Sequence, residues 1–374
     1  MTTRSAGPWL ALCGLVAAVA VAVFLPSLGN GFVFDDLDLV ATNPRIRSLT
    51  SLGILVDGYR PLRTITYAID YRIWGLSPMG FRVTNIAIHA ANCALALAVA
   101  RRLTGGARAA SVVAALFFAI HPVQVESVAY ISGRRDVLFA LFYLAAFLAY
   151  TRFREAATAR ARAAWLAAAA VGFVLSLMSK EMAASFPIVC VLWDLYRATE
   201  PDAGGSRPST GAVVRRLARE GAVLYTAGFV ALVAFAYYTI FIRGATTALG
   251  SEVRLWGGSV LTNTLTVPLT YAHYVRLTVW PGTLAAQYYG AFEPATGFAD
   301  PRVIPALALL VGLAAVALYL LVRTSHRAAG FGIAWFLATL LPASQILPHH
   351  EIVADHYLYL PLAGSGVAIA GGLV

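Results

Sequence analysis

Charge is scarce in this chain. Of its 374 residues only 12% are Asp, Glu, Lys or Arg, where a soluble globular chain carries roughly a quarter. That shortage excludes a water-soluble fold. With 59% hydrophobic residues and a mean hydropathy of +0.73, the chain belongs in a membrane. Lysine is almost missing: Lys180 stands alone, so nearly all of the positive charge behind the formal net +10 is guanidinium. On a soluble domain such an excess would suggest nucleic acid. Here most arginines sit in short loops between apolar runs, where the positive-inside bias places them, so the excess reports topology and a nucleic-acid partner is excluded. Cysteine is equally short. Cys13, Cys93 and Cys190 lie inside apolar runs with neither metal-like nor disulfide-like spacing, and they read as small buried residues. No repeat of fixed period is present.

What is abundant is apolar sequence in runs of about 20 residues, long enough to cross a bilayer as helix. The expected fold is all-α: a polytopic transmembrane bundle of about ten or eleven spans, forming a single membrane domain over residues 1–374. The first run, about Leu10 to Leu25, follows Arg4 and no small-x-small cleavage pattern, so it reads as an uncleaved span with its N-terminus cytoplasmic. Residues 29–80 form a long first external loop holding Asp35, Asp36, Asp38, Asp57 and Asp70. A second external segment runs from His121 to Asp136, and a third, Ser179-Lys180-Glu181, lies between the short spans Ala163–Leu177 and Ala184–Tyr196. The basic, Pro/Gly/Ser-rich stretch 197–220 reads as a cytoplasmic loop. Within the external region 243–302, Leu261 to Trp280 is expected as an interfacial or re-entrant helix, because a full crossing would put Arg323 and Arg327 outside. The last spans, Phe331–Leu347 and Tyr357–Val374, bracket an external His349-His350-Glu351 and Asp355-His356-Tyr357. The sequence stops inside an apolar run, which suggests a truncated fragment or a minimal membrane module. Abundant arginine and alanine with one lysine suggest a GC-rich bacterial genome; the chain would then sit in the bacterial inner membrane with its external side in the periplasm.

The residues with chemical potential gather on that external side. Asp35-Asp36 lies just beyond the first span; adjacent carboxylates raise each other's pKa, so one can serve as general base, or the pair simply opens a solvated loop or caps a helix. Arg60, Arg134, Arg135 and Lys180 fall where a lipid phosphate would lie, and planar guanidinium binds phosphate in bidentate fashion; equally, they can pair with Glu126, Asp136 and Glu181 or snorkel to the interface. Asn85, His89 and His121 are polar groups at the outer ends of spans, suited to interhelical hydrogen bonds. His349, His350, Glu351, Asp355 and His356 have the residue types of a metal cluster, but their spacing matches no standard zinc pattern and no metal is expected.

Taken in order, these residues carry a family pattern: Phe34-Asp35-Asp36, Asn43-Pro44, Tyr59-Arg60-Pro61-Leu62, Asn85 and His89, His121-Pro122 with Glu126, Gly133-Arg134-x-Asp136, Ser179-Lys180-Glu181, and Asp355-x-Tyr357-Leu-Tyr359-Leu-Pro361. The chain resembles the transmembrane, tetratricopeptide-repeat O-mannosyltransferases and their bacterial relatives, of the C-type glycosyltransferase superfamily, over nearly its whole length. The resemblance implies a multispan helical fold, a polyprenyl-phosphate sugar donor, and a base at Asp35 or Asp36. That base would deprotonate an acceptor hydroxyl, which attacks the anomeric carbon in line, inverting the sugar and releasing polyprenyl phosphate. Arg60, Arg134, Arg135 and Lys180 are then candidate phosphate ligands, with Asn85, His89, His121, Glu126, Asp136, Glu181, Asp355, His356 and Tyr357 in support; no cofactor is expected.

Two departures stand out. This chain has no repeat domain after the membrane part, which leaves the acceptor, a periplasmic protein or glycan, open. Gly-Arg-Arg-Asp replaces the more usual Gly-Arg-Ala-Asp, which leaves open whether Arg134 or Arg135 meets the phosphate. Two other classes compete with the enzyme. A lipid-linked-sugar transporter or flippase would show polar residues through the membrane depth and inverted repeats, whereas the polar groups here lie mainly at the outer boundary. A catalytically inactive scaffold is disfavoured by the retained Asp35-Asp36.

Overall fold

A bilayer offers no partner to a backbone N–H or C=O, so an apolar chain must satisfy its backbone within each segment, and helices result. The computed structural model describes residues 7–48, 60–202, 204–237, 255–346, 348–349 and 351–374, and among them there are helices and no strand. The first helices are α1 (Gly7–Phe24), α2 (Pro61–Trp74), α3 (Pro78–Leu103), α4 (Arg108–Ile120), α5 (Gln124–Val128), α6 (Arg134–Glu155) and α7 (Ala159–Leu177). There follow α8 (Phe186–Ala198), α9 (Thr210–Tyr237), α10 (Val260–Val279), α11 (Val303–Arg323), α12 (Arg327–Leu340) and α13 (Pro361–Gly371). Among the described residues six helices, α1, α3, α6, α7, α9 and α11, are long and apolar enough to cross a membrane, and α4, α12 and α13 are shorter apolar ones. The chain is an all-α, multi-pass membrane protein.

The short helices explain why hydropathy suggests more full spans. The run entering His121 ends after 13 residues of α4, and Pro122 follows at once. The polar stretch 29–80 also differs from an open loop. Pro61 starts α2 at its first position, and the helix buries Tyr67 and Ala68 beside Val40, Ile46 and Phe81. Asp57 and Tyr59 lie outside the described residues.

Two faces result. On one, hydrogen bonds tie the arginine-bearing turns together: Arg102 to Glu155 (2.6 Å), Arg154 to the Glu220 carbonyl (3.0 Å), Arg207 to the Val322 carbonyl (2.6 Å), and the Tyr196 hydroxyl to the Leu103 carbonyl (3.0 Å). The other face carries the polar segments named above. Across it lies α10, opened by a Ser259–Thr262 capping box. Near one end Asn263 donates to the Gln345 carbonyl after α12 (2.8 Å); near the other, His121 at the end of α4 donates through Nε2 to the Thr278 carbonyl (3.1 Å).

The core is built where small residues let backbones touch. A Cβ on Gly332 of α12 would stand 2.4 Å from the Ala368 nitrogen and 2.5 Å from the Gly364 carbonyl oxygen of α13. Close packing of this kind holds helices together where apolar burial alone gives no preference for protein over lipid. Trp335 then sits edge-on to Tyr143 and Phe147 of α6 at 5.7 and 5.1 Å. Gly332→Val is therefore expected to lower the thermal midpoint in detergent, with a loss of roughly 1–3 kcal/mol as the helices part. Gly312→Ala on α11, where a Cβ meets nothing within 4 Å, should leave the midpoint unchanged or raise it slightly, alanine being the better helix former; equal midpoints for both variants would refute this packing.

Candidate active site

The polar face holds a cavity of about 640 Å³. Its first wall is the loop after α1, from Asn30 to Asp35. Arg82, at the start of α3 and fully buried, shapes that loop: its guanidinium donates to the carbonyls of Asn30 and Gly31 and to that of Ala129 (2.8 Å). The next residues divide the acidic pair. Asp36 is buried, and its carboxylate accepts from the Ser132 backbone N–H (2.9 Å), the Ser132 hydroxyl (2.8 Å) and the Val33 N–H (3.2 Å). Asp35 is exposed and lines the cavity, with its N–H donating to the Tyr130 hydroxyl (3.0 Å). Phe34, between the loop and the pair, takes a left-handed φ of 47°, a conformation that costs a non-glycine residue roughly 1–2 kcal/mol and marks a constrained turn. Burial raises the pKa of Asp36; the neighbouring carboxylate, which the sequence pairing would credit, is not among the causes.

The second wall comes from α5, the turn after it and α6. Gly133 makes that turn possible, since a Cβ there would stand 2.4 Å from the Ser127 carbonyl oxygen. The helix that starts at Arg134 then sends its first two arginines different ways. Arg134 is fully buried: it pairs with Asp70 (2.6 Å), donates to the Phe81 carbonyl (2.8 Å) and contacts the Asn85 side-chain oxygen. Arg135 turns to the cavity wall and makes no hydrogen bond to any described residue; its Nε lies 3.5 Å from Asp136.

The other candidate cations are engaged behind the cavity. Lys180 is buried, forms a close ion pair with the fully buried Asp136, and lies 4.9 Å from the centre of the Tyr357 ring. Arg60, itself at a left-handed φ of 67°, clasps Glu181 with Nη2 2.7 and 2.8 Å from the two carboxylate oxygens. Burial works to raise the Glu181 pKa, yet Arg60 prevails and holds it well below the usual range. Tyr357 and His349 share a hydrogen bond of 2.7 Å.

Two more segments close the cavity: Leu284 to Gln287 after α10, and the stretch carrying Glu351 and Asp355. Asp355 joins them, accepting from the Tyr288 hydroxyl (2.6 Å) and the Ala285 N–H (3.2 Å). Burial pushes its pKa up to about 6. Glu126 accepts from both the backbone N–H (2.8 Å) and Nδ1 (2.6 Å) of His356, and burial raises the Glu126 pKa while lowering that of His356. The remaining sequence candidates hold helices: Asn85 donates to the Val128 and Tyr130 carbonyls (3.2 and 2.9 Å), and His89 meets the Tyr359 hydroxyl (2.7 Å) and the Ala119 carbonyl (3.2 Å). No group of three metal-binding side chains occurs among the described residues, which do not include His350.

The structure thus brings Asp35, Glu126, Arg135 and Asp355 to one cavity and keeps Asp36, Arg60, Arg134, Lys180 and Glu181 out of its wall. Arg82, Tyr130, Ser132 and Tyr288, which the sequence did not single out, hydrogen-bond to the segments that line or back the cavity. Arg82 carried one signal, an arginine in the first turns of the apolar helix α3, at the end opposite its Arg101-Arg102 pair.

Known proteins resemble this chain. The family model described as dolichyl-phosphate-mannose-protein mannosyltransferase matches residues 38–208. Protein O-mannosyl-transferase TMTC4 of Homo sapiens is 27% identical over 96% of this chain, and protein O-mannosyl-transferase TMTC3 of Mus musculus is 25% identical over 96%. The chain spans 54% and 42% of the length of these two relatives, about half. Protein O-mannosyl-transferase Tmtc2 of Drosophila melanogaster is 34% identical over 50% of the chain, which spans 22% of that relative. No solved structure matches. By sequence, then, the chain is similar to protein O-mannosyl-transferases over nearly all of its length.

Proposed function

We propose that the chain transfers a sugar, mannose or a close relative, from a polyprenyl-phosphate donor to a hydroxyl of a protein or glycan, with inversion. The observation that carries this reading is that Asp35 and Arg135 line one cavity, one as an exposed carboxylate and the other as a guanidinium with no hydrogen bond to any described residue. Asp35 takes the acceptor's proton, the resulting oxygen attacks the anomeric carbon, and the bond from that carbon to the phosphate oxygen breaks. The departing group is a phosphate anion, and Arg135 lies where it can receive that charge in a site shielded from bulk water. Such a leaving group needs no metal to depart, so chelation should leave the rate unchanged. The same cavity opens on the face away from the arginine-bearing turns; by the positive-inside bias those turns are cytoplasmic and the site faces the periplasm of a bacterial inner membrane.

The division of labour within the acidic pair gives a sharp test. Asp35→Asn is expected to lower transfer from polyprenyl-phosphate mannose about 10²–10⁴-fold with an unchanged thermal midpoint. Asp36→Ala leaves three donors without an acceptor and should cost about 1–3 kcal/mol for each that stays buried, seen as a fall in the midpoint. Full activity in Asp35→Asn would end the assignment of the base. Loss of transfer from every lipid-linked sugar in the wild type, with donor still crossing proteoliposomes, would favour a flippase.

Arg135 and Arg134 separate in the same way. Arg135→Gln should raise the donor KM and lower kcat at an unaltered midpoint, whereas Arg134→Gln strands buried Asp70 and should destabilise the protein, by about 3–5 kcal/mol for a broken buried pair. Reversed behaviour would exchange their roles.

Asp355 makes stability depend on pH. Its folded pKa of about 6 lies above that of an unfolded aspartate, near 4. The stability it contributes is complete below about pH 4 and is lost as pH rises through about 6. Asp355→Asn should flatten the thermal midpoint between those values; a profile identical to wild type would remove Asp355 as the source.

A further inference from the structure

A second, smaller cavity of about 380 Å³ lies between α10 and α11, apart from the first and sharing no residue with it. Its walls are apolar, from Leu269, Phe292, Ala306 and Leu309. Three basic side chains complete it: His273, Arg276 and Arg302. Arg302 is balanced by Asp300, with Nη2 to Oδ2 at 2.7 Å and Nε to Oδ1 at 2.9 Å. Arg276 has no carboxylate within ion-pair distance among the described residues; it donates to the Thr283 hydroxyl (2.7 Å) and to His273 Nδ1 (3.4 Å). With Nδ1 accepting, the proton of the imidazole is assigned to Nε2. That N–H is buried and has no acceptor among the described residues, and His273 itself is only 8% exposed. A buried donor without an acceptor costs roughly 1–3 kcal/mol and calls for an explanation.

The surroundings say which anion would supply the acceptor. The pocket lies beside the start of α11, a spanning helix whose flank exposes Ile304, Leu307 and Val311. Trp280, Tyr289 and Phe298, within a few residues in sequence of the lining residues Arg276, Phe292 and Arg302, are exposed, and large aromatic residues favour the headgroup level of a bilayer. A uniformly apolar molecule would leave Arg276 and His273 unanswered, and a soluble anion would leave the apolar walls unfilled. We propose that this pocket binds the phosphate headgroup of an anionic membrane lipid, with Arg276 and His273 Nε2 donating to the phosphate oxygens and the glycerol and first acyl carbons along Leu269, Phe292 and Leu309. The site is independent of the proposed transfer reaction. It would anchor α10 to the bilayer surface.

The test is native mass spectrometry of the purified full chain in detergent, titrated with phosphatidylglycerol, with phosphatidylcholine of the same acyl chains, or with inorganic phosphate. One phosphatidylglycerol should be retained; phosphatidylcholine, whose choline cation would be held against Arg276 and Arg302, and inorganic phosphate, which leaves the apolar walls unfilled, should each bind at least about tenfold more weakly. Arg276→Gln should lose about tenfold in phosphatidylglycerol affinity, and Arg276→Lys should keep most of it, which shows that charge rather than folding is read. Arg102→Gln, on the arginine-bearing face and outside both cavities, should bind as wild type does. Equal retention of both lipids, equal binding by inorganic phosphate, indifference to Arg276→Gln, or loss in Arg102→Gln would each overturn the proposal.

Discussion

The site depends on one buried guanidinium. Arg82 reaches out of α3 to the carbonyls of Asn30, Gly31 and Ala129, groups that belong to two segments with no regular helix of their own. A charged donor that joins neutral carbonyls of separate segments makes stronger hydrogen bonds than a neutral one. One side chain answers all three and thereby fixes the loop after α1 against the turn before α6. Asp36 adds the reciprocal tie, accepting from both sides of the same junction. Only with the loop so held does Asp35 have a defined position over the cavity.

Around that junction the charges are arranged in two shells of different character. Behind the cavity, every ionised group is matched: Arg60 by Glu181, Arg134 by Asp70, Lys180 by Asp136. Such pairs add little net stability because desolvation offsets their attraction, but a single partner lost is costly, so they enforce one arrangement. In the cavity wall the matching is incomplete. Arg135 makes no hydrogen bond to any described residue, and burial raises the pKa values of Glu126 and Asp355, the carboxylates nearest the closing loops.

Much of this was legible in the sequence, and for physical reasons. Apolar length alone identifies α1, α3, α6, α7 and α11, because a bilayer-crossing segment has little compositional freedom. The arginine-bearing turns declare which loops share a face. The side-chain assignments were not legible. Asp35 and Asp36 are chemically identical neighbours, and only the Ser132 turn, far away in sequence, chooses between them. Arg134 and Arg135 differ by about 100° around a helix, so the register set by Gly133 decides which meets Asp70 and which the cavity. Helix α2 went unread for the opposite reason: its polar sequence is held by Val40, Ile46 and Phe81, contacts that no local pattern displays.

The solitary lysine has a consequence of its own. Lys180 is buried to 1% exposure against Asp136, so every other side-chain cation except histidine is a guanidinium, which does not release its proton at any pH a cell reaches. The positive collar on the arginine-bearing face is therefore permanent: neither acidification nor an alkaline shift can discharge it, and acetylation has no exposed side-chain amine to modify. Whatever orientation that collar imposes when the chain enters a membrane is fixed for the life of the protein.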